Sequence, residues 1–233
     1  MVTLQTDDRT ALLHGSTLFS DLPQAQLTAL AEQLRRRRFR RGEVLFHRDD
    51  PASALYLIQE GAVKIHLSSE DGDETVLALL GPGSCVGEIA VLDGGPRSAT
   101  ATAVEPVEAY TLLRDDLLAF VRENPDVALG LLTTIAARLR RTNEWLEDAY
   151  VLDLDQRLAR RLREFAEEYG RPTSEGIEVP FPLTQSELAG MLGATRVTIN
   201  RQLGILQDAG ILRLGKGSFT VIDSEALRRR AGR

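Results

Sequence analysis

From residue 125 onward the apolar residues change period. Ala128, Leu132, Ile135, Leu139, Thr142, Leu146 and Ala149 are spaced alternately by four and three, which is the spacing of a coiled-coil seam. One long helix with such a stripe predicts a parallel homodimer. An amphipathic helix lying on its own domain has the same period, so both readings stay open. Thr142 interrupts the apolar seam and Asn143 lies beside it. A polar residue at a seam position serves register or function.

Before this helix the period is two. After a short helical pattern at residues 25–34, brief Val, Ile, Leu and Tyr segments alternate with glycines, as strands do. Within "ALYLIQEGAVKIHLSSEDGDETVLALLGPGSCVGEIAVL", Val63, Ile65 and Leu67 alternate with polar residues, "EDGDE" turns, and Val76 and Ala78 resume. The pattern predicts an antiparallel hairpin stack, hence a sandwich or barrel. The arginine run "RRRRFRR" at residues 35–41 enters the first strands and is read as a solvated face.

A chain of 233 residues is comfortable for two modules. Its 43% hydrophobic and 27% charged content fits a soluble protein, and no apolar run approaches the roughly 20 residues of a membrane span. The amino terminus lacks a basic segment followed by an apolar one, and Cys85 is the single cysteine, so a cytoplasmic, reducing home is expected. The net charge of -6 is uneven: residues 153–233 carry 13 Lys and Arg against 11 Asp and Glu, or +2, and the rest carry 15 against 23, or -8. A polyanion partner should meet the C-terminal third. His14, His47 and His66 have no metal-ligand spacing with one another or with Cys85, and Cys85 reads as a buried small hydrophobe. With no P-loop, nucleophile elbow or paired carboxylates in convergent context, no catalysis is expected.

Beyond the seam, Asp153 is placed to cap a helix over residues 154–169, making Leu152 and Asp153 the hinge between modules. A loop, "GRPTSEGIEVPFP", follows. In "LTQSELAGMLGATRVTINRQLGILQDAGILRLGKGSFTVID", Thr184 and Glu187 form a capping box. Gly193 ends the first helix, Thr195 caps a second, and Gly210 ends that one. This is a helix-turn-helix pattern. "ILRL", "GKG" and "FTVI" then predict a two-stranded wing. Between Thr195 and Gly217 the chain carries Arg196, Arg201, Arg213 and Lys216 against Asp208 alone, a balance that neutralises phosphates. A small helical domain used for protein contacts is the alternative.

The segment "GEIAVLDGGPRSATATA", residues 87–103, completes the succession of strands, cassette, long helix and winged helix-turn-helix. Over nearly the whole chain this succession resembles the cyclic-AMP receptor protein (catabolite activator) group of bacterial transcription regulators. The resemblance implies an α+β fold: an N-terminal cyclic-nucleotide-binding β-roll (jelly roll) over 1–124, a dimerisation helix and hinge over 125–152, and a C-terminal winged helix-turn-helix over 153–233. It makes "GEIAVLDGGPRSA" the phosphate-binding cassette, within which Gly87, Glu88, Ile89, Arg97, Ser98 and Ala99 are the candidate ligand set.

The chemistry of these residues agrees with that role. A guanidinium meets a cyclic phosphate with paired donors, which suits Arg97, and Ser98 adds a hydroxyl. The Glu88 carboxylate, an acceptor, suits a ribose 2′-hydroxyl. Gly87 and Ala99 leave room for close backbone approach. A surface Glu/Arg pair on a glycine-rich turn is the plainer account. Thr142 and Asn143 match the family's adenine contacts, one of them from the partner subunit, with Asn143 where the family has serine. Arg138 matches an arginine that approaches the cassette glutamate, here Glu88, or is a solvated member of "RLRR".

In the helix-turn-helix the implied DNA-facing residues are Thr184, Thr195, Arg196, Val197, Thr198, Asn200, Arg201 and Lys216. Val197 stands where many members carry a base-reading glutamate. The function implied is that of a homodimeric transcription regulator, not an enzyme, switched by cAMP as effector without a metal. It would bind near-palindromic double-stranded DNA, meet RNA polymerase and have no membrane partner. Two alternatives remain: a family member that binds DNA without ligand, and a cyclic-nucleotide regulatory module acting on a protein partner.

Overall fold

The computed structural model describes residues 6–16, 18–69, 74–180 and 182–232. The chain divides into two compact units, residues 1–68 with 77–140 and residues 69–76 with 141–233. Two short helices, α1 (Thr6–His14) and α2 (Gln24–Gln33), lead into β1 (Arg35–Phe39), β2 (Val44–Phe46), β3 (Ala54–Glu60), β4 (Val63–Ser68), β5 (Glu74–Leu80) and β6 (Cys85–Val86). A six-residue helix, α3 (Glu88–Asp93), precedes β7 (Thr100–Ala103) and β8 (Val107–Leu113). The strands form two sheets, ordered β1-β8-β3-β6 and β2-β7-β4-β5, with antiparallel neighbours along β1, β8, β3 and β6. The expected turn "EDGDE" falls largely on residues 70–73, outside the described residues.

Strands β3 and β8 supply side chains to a core on each of their two faces. Leu55 and Leu57 of β3, with Tyr110 and Leu112 of β8, join Leu13, Leu27 and Leu30 of the amino-terminal helices in one core. The residues between them, Tyr56, Ile58, Val107 and Ala109, face a second core with Leu45, Val63, Ala101 and Ala103 from the other sheet. A strand buried on both faces has no polar alternation to show. Cys85 lies in the first core, 1% exposed, and burial raises its thiol pKa. The arginine run is solvated as expected: β1 is an edge strand whose four arginines are all exposed. Arg36 and Arg38 pair with Glu108 of β8, and charge along an exposed edge discourages pairing with another chain.

Helix α4 (Arg114–Glu123) is followed by the long α5 (Pro125–Val151). Val127 and Leu131 bury one side of α5 in the first unit's helical core. Its other side is bare: Leu129, Leu132, Leu139 and Leu146 are 66, 63, 60 and 58% exposed. The seven-residue repeat of Leu132, Leu139 and Leu146 therefore faces outward, while Ala128 and Ile135 of the expected seam are half-buried.

In the second unit, α6 (Leu154–Tyr169) starts after Asp153, whose backbone N–H donates to Gln156 Oε1 at 3.0 Å. The end of α5 is fastened to α6: Arg161 stacks with its Cζ 4.2 Å from the Trp145 ring centre, Arg160 pairs with Asp148 at 2.6 Å, and Arg141 with Glu168 at 3.1 Å. The segment expected to be a loop contains two strands, β9 (Arg171–Thr173) and β10 (Gly176–Pro180). After α7 (Gln185–Leu192) and α8 (Arg196–Asp208) come the wing strands β11 (Leu212–Leu214) and β12 (Ser218–Val221). The wing is thus part of a four-stranded sheet, β11-β12-β10-β9, rather than an isolated hairpin. The pairing of β10 with β12 and the burial of Val179 override the turn-like Gly and Pro composition. A last helix, α9 (Ser224–Arg230), packs on α6 and is capped by the Asp223 carboxylate, which accepts from Ala226 N at 2.8 Å.

The Glu108 cluster yields a pH test. The hydrogen bond from Arg36 holds the Glu108 carboxyl below the usual carboxylate range, with help from Arg38. Its contribution to stability is therefore complete above the unfolded-state value, about 4.3, and is lost as pH falls through the lower folded value. Glu108→Gln should reduce the urea midpoint at pH 7, and the gap from the wild type should shrink steadily below about pH 4.3.

Candidate functional site

Beside the β2-β7-β4-β5 sheet of the first unit lies a cleft whose apolar side is made by Phe46, Ile65 and Leu80 and whose polar side is made by Glu88, Arg97, Ser98 and Arg138. Gly87, Ile89, Ala90 and Ala99 complete it. The structure therefore gathers seven of the nine expected ligand-set residues, Arg138 of the long helix included. Thr142 and Asn143 belong to the second compact unit and are exposed on α5.

Arg97 is the centre of this cleft. Its side chain is 3% exposed. One terminal nitrogen donates to the Gly87 carbonyl at 2.7 Å and the other to the Ala54 carbonyl at 2.5 Å, while Cζ lies 4.1 Å from the Phe46 ring centre. Burial lowers the guanidinium pKa, and Tyr56, Asp50 and Glu88 partly offset that. A guanidinium remains charged even so. Its five N–H donors are only partly used, and Nε is buried with no partner among the described residues. A buried cation with donors to spare is the arrangement an anionic oxygen would complete.

Two local features hold the arginine there. Gly87 precedes α3 with φ 82°, in the left-handed region, where glycine is at home. A side chain at that position would collide with the Arg97 guanidinium and the Phe46 ring. Glu88, 2% exposed, is ion-paired with Arg138 of α5, so α5 reaches the cleft through one side chain. Sequence reasoning missed Phe46 and the Ala54 carbonyl, since only sheet pairing brings β2 and β3 beside the cassette.

In the second unit the capping box is formed: Thr184 Oγ1 accepts from Glu187 N at 3.2 Å, and Glu187 returns the bond at 2.7 Å. Gly193 has φ 63°. Thr195 Oγ1 accepts from Thr198 N at 3.2 Å to start α8. Ile199, Leu203 and Leu206 bury one face of that helix, leaving Arg196, Val197, Asn200 and Arg201 exposed on the other, Val197 at 79%. Lys216 is exposed in the wing turn. Arg213, which counted towards the local positive charge, is paired with Glu175 at 2.6 Å. The exposed cations of the DNA-facing set are thus Arg196, Arg201 and Lys216.

Comparison with known proteins agrees with this two-part design. Residues 36–124 match the cyclic nucleotide-binding domain and residues 156–230 the Crp-like helix-turn-helix domain. The CRP-like cAMP-activated global transcriptional regulator of Mycobacterium tuberculosis is 36% identical over 94% of this chain and 98% of its own length. The cyclic AMP receptor protein of Thermus thermophilus is 34% identical over 92% and 96%. Among solved structures, FixK2 from Bradyrhizobium japonicum shares the fold, with a TM-score of 0.77 at 22% identity over 86% of this chain and 98% of that one. With residues matching a cyclic nucleotide-binding domain and a Crp-like helix-turn-helix domain on one chain, and relatives matched nearly end to end, this protein belongs to the cyclic-AMP receptor protein family of DNA-binding transcription regulators.

Proposed function

We propose that the chain is a cytoplasmic homodimeric regulator that binds cAMP in the cleft around Arg97 and reads a near-palindromic DNA site. The observation that carries the reading is the buried Arg97 guanidinium, its Nε without a partner among the described residues, in a cleft that Glu88 also lines. Arg97 and Ser98 would hold the cyclic phosphate, and Glu88 the ribose 2′-hydroxyl. The ribose would then compete with Arg138 for Glu88, which links ligand arrival to α5. Thr142 and Asn143 would meet the base, one from each subunit. Ligand can shift the equilibrium between dimer states only by binding them unequally, and contacts to the shared helix supply that difference. The hinge at Leu152 and Asp153 would turn the change into reorientation of the DNA-binding domains, and RNA polymerase would read the result.

A second reading has its own support. Arg97 already satisfies two carbonyls and Glu88 already has a cationic partner, so the cassette holds together without nucleotide. A protein that binds DNA unliganded would use it structurally. Gel shifts with and without cAMP separate the two readings: equal DNA affinity favours the second.

Calorimetry checks the pocket directly. The wild type should bind cAMP and Arg97→Leu should lose at least tenfold in affinity, the equivalent of about 1.4 kcal/mol. Equal binding by both, or by neither, sinks the assignment.

The exposed leucines of α5 should form the dimer seam. Leu139→Asp should sediment as a monomer at concentrations where the wild type is a dimer, and its binding to a two-half-site duplex should fall accordingly.

For DNA, a two-fold dimer places its recognition helices about 34 Å apart in successive major grooves. Arg196 or Arg201 can donate twice to guanine, Asn200 can pair with adenine, and the Val197 methyls can touch a thymine methyl. Val197→Glu should raise preference for cytosine at the facing position by about 1–3 kcal/mol. Selection from a randomised half-site library with both proteins gives the comparison; identical consensus sequences would show that Val197 does not face the bases.

A further inference from the structure

The segment Phe46–Pro51 touches Arg97 at both of its ends. At the side-chain end, the Phe46 ring lies under the guanidinium, 4.1 Å from Cζ. At the main-chain end, Asp49 N donates to Arg97 O and Arg97 N donates to Asp50 O, each at 2.9 Å. A bridge between Pro51 and Pro96, and a bond from Arg48 N to Thr100 Oγ1 at 3.0 Å, extend the same attachment to either side of the arginine. The turn keeps its shape through Asp50, whose carboxylate accepts from His47 N at 2.8 Å. Asp49 takes φ 68° within it, the one non-glycine residue with positive φ among the described residues. Asp tolerates that region better than most side chains, at some cost.

We propose that Phe46–Pro51 is a brace that presents Arg97 to the nucleotide's phosphate, and that Asp50 is the positioning residue that keeps the brace in shape. The proposal rests on the reading of Arg97 as the phosphate ligand. An arginine side chain has many rotatable bonds, and fixing it before the ligand arrives removes an ordering cost from binding. Here six consecutive residues touch both the peptide and the guanidinium, whose terminal nitrogens are also held by the Gly87 and Ala54 carbonyls. Paired donors reward such placement, because a fork displaced by about an ångström loses its bidentate geometry. Asp50 acts through the shape of the turn and makes no contact with ligand.

The test uses the full-length protein and cAMP. Asp50→Ala should weaken cAMP binding about tenfold by calorimetry and, in the ligand-free protein, speed hydrogen exchange of the Arg97 amide. Asp50→Asn keeps an oxygen that can accept from His47 N, so it should restore both towards wild-type values. Phe46→Leu, which removes the ring but keeps apolar bulk, should also weaken cAMP binding. Wild-type affinity in Asp50→Ala or in Phe46→Leu overturns the brace while leaving the pocket intact. Asparagine as weak as alanine would mean that the carboxylate charge acts rather than the turn, and overturns the assignment of Asp50. A wild type that does not bind cAMP overturns the pocket reading and this proposal with it.

Discussion

A guanidinium taken out of water is the constraint around which the first unit is arranged. An isolated buried cation is costly, and the fold meets that cost by aiming two backbone carbonyls, an aromatic face and nearby acidic groups at Arg97. Each of these comes from a different stretch of chain: Gly87 from the start of the cassette helix, Ala54 from β3, Phe46 from the end of β2. The arginine therefore ties both sheets to the cassette. The same arrangement leaves the Arg97 Nε without a partner among the described residues.

Local chemistry with a fixed offset was legible in the sequence. Thr184 and Glu187, three apart, make the capping box they spell out, and Gly193 and Thr195 set the turn between α7 and α8. The leucines at positions 132, 139 and 146 announce a helix with a face to spare. Features created by long-range pairing were not. Strands β9 and β10 are masked by Gly, Pro and Ser until β12 is set beside them. The neutralisation of Arg213 by Glu175 joins residues 38 apart, and no local pattern foretells it. The cassette lies between these cases: Glu88 and Arg97 were visible as a pair, but the Phe46 ring and Ala54 carbonyl that hold Arg97 belong to strands 51 and 43 residues earlier.

Helix α5 carries two allegiances. Its first turns supply Val127 and Leu131 to the core of one unit, and its last turns are fastened to α6 by stacking and ion pairs in the other. Between them stand Arg138, bound to the cassette glutamate, and Thr142 and Asn143.

The fastening at the far end of α5 has a practical side. Trp145 is the only tryptophan in the chain, and it sits between Arg141 and Arg161 at the junction with α6. Its indole emission depends on those two cations and on water access, so the wild-type protein carries its own optical gauge of the α5–α6 packing, with no label attached and no second indole to obscure the signal.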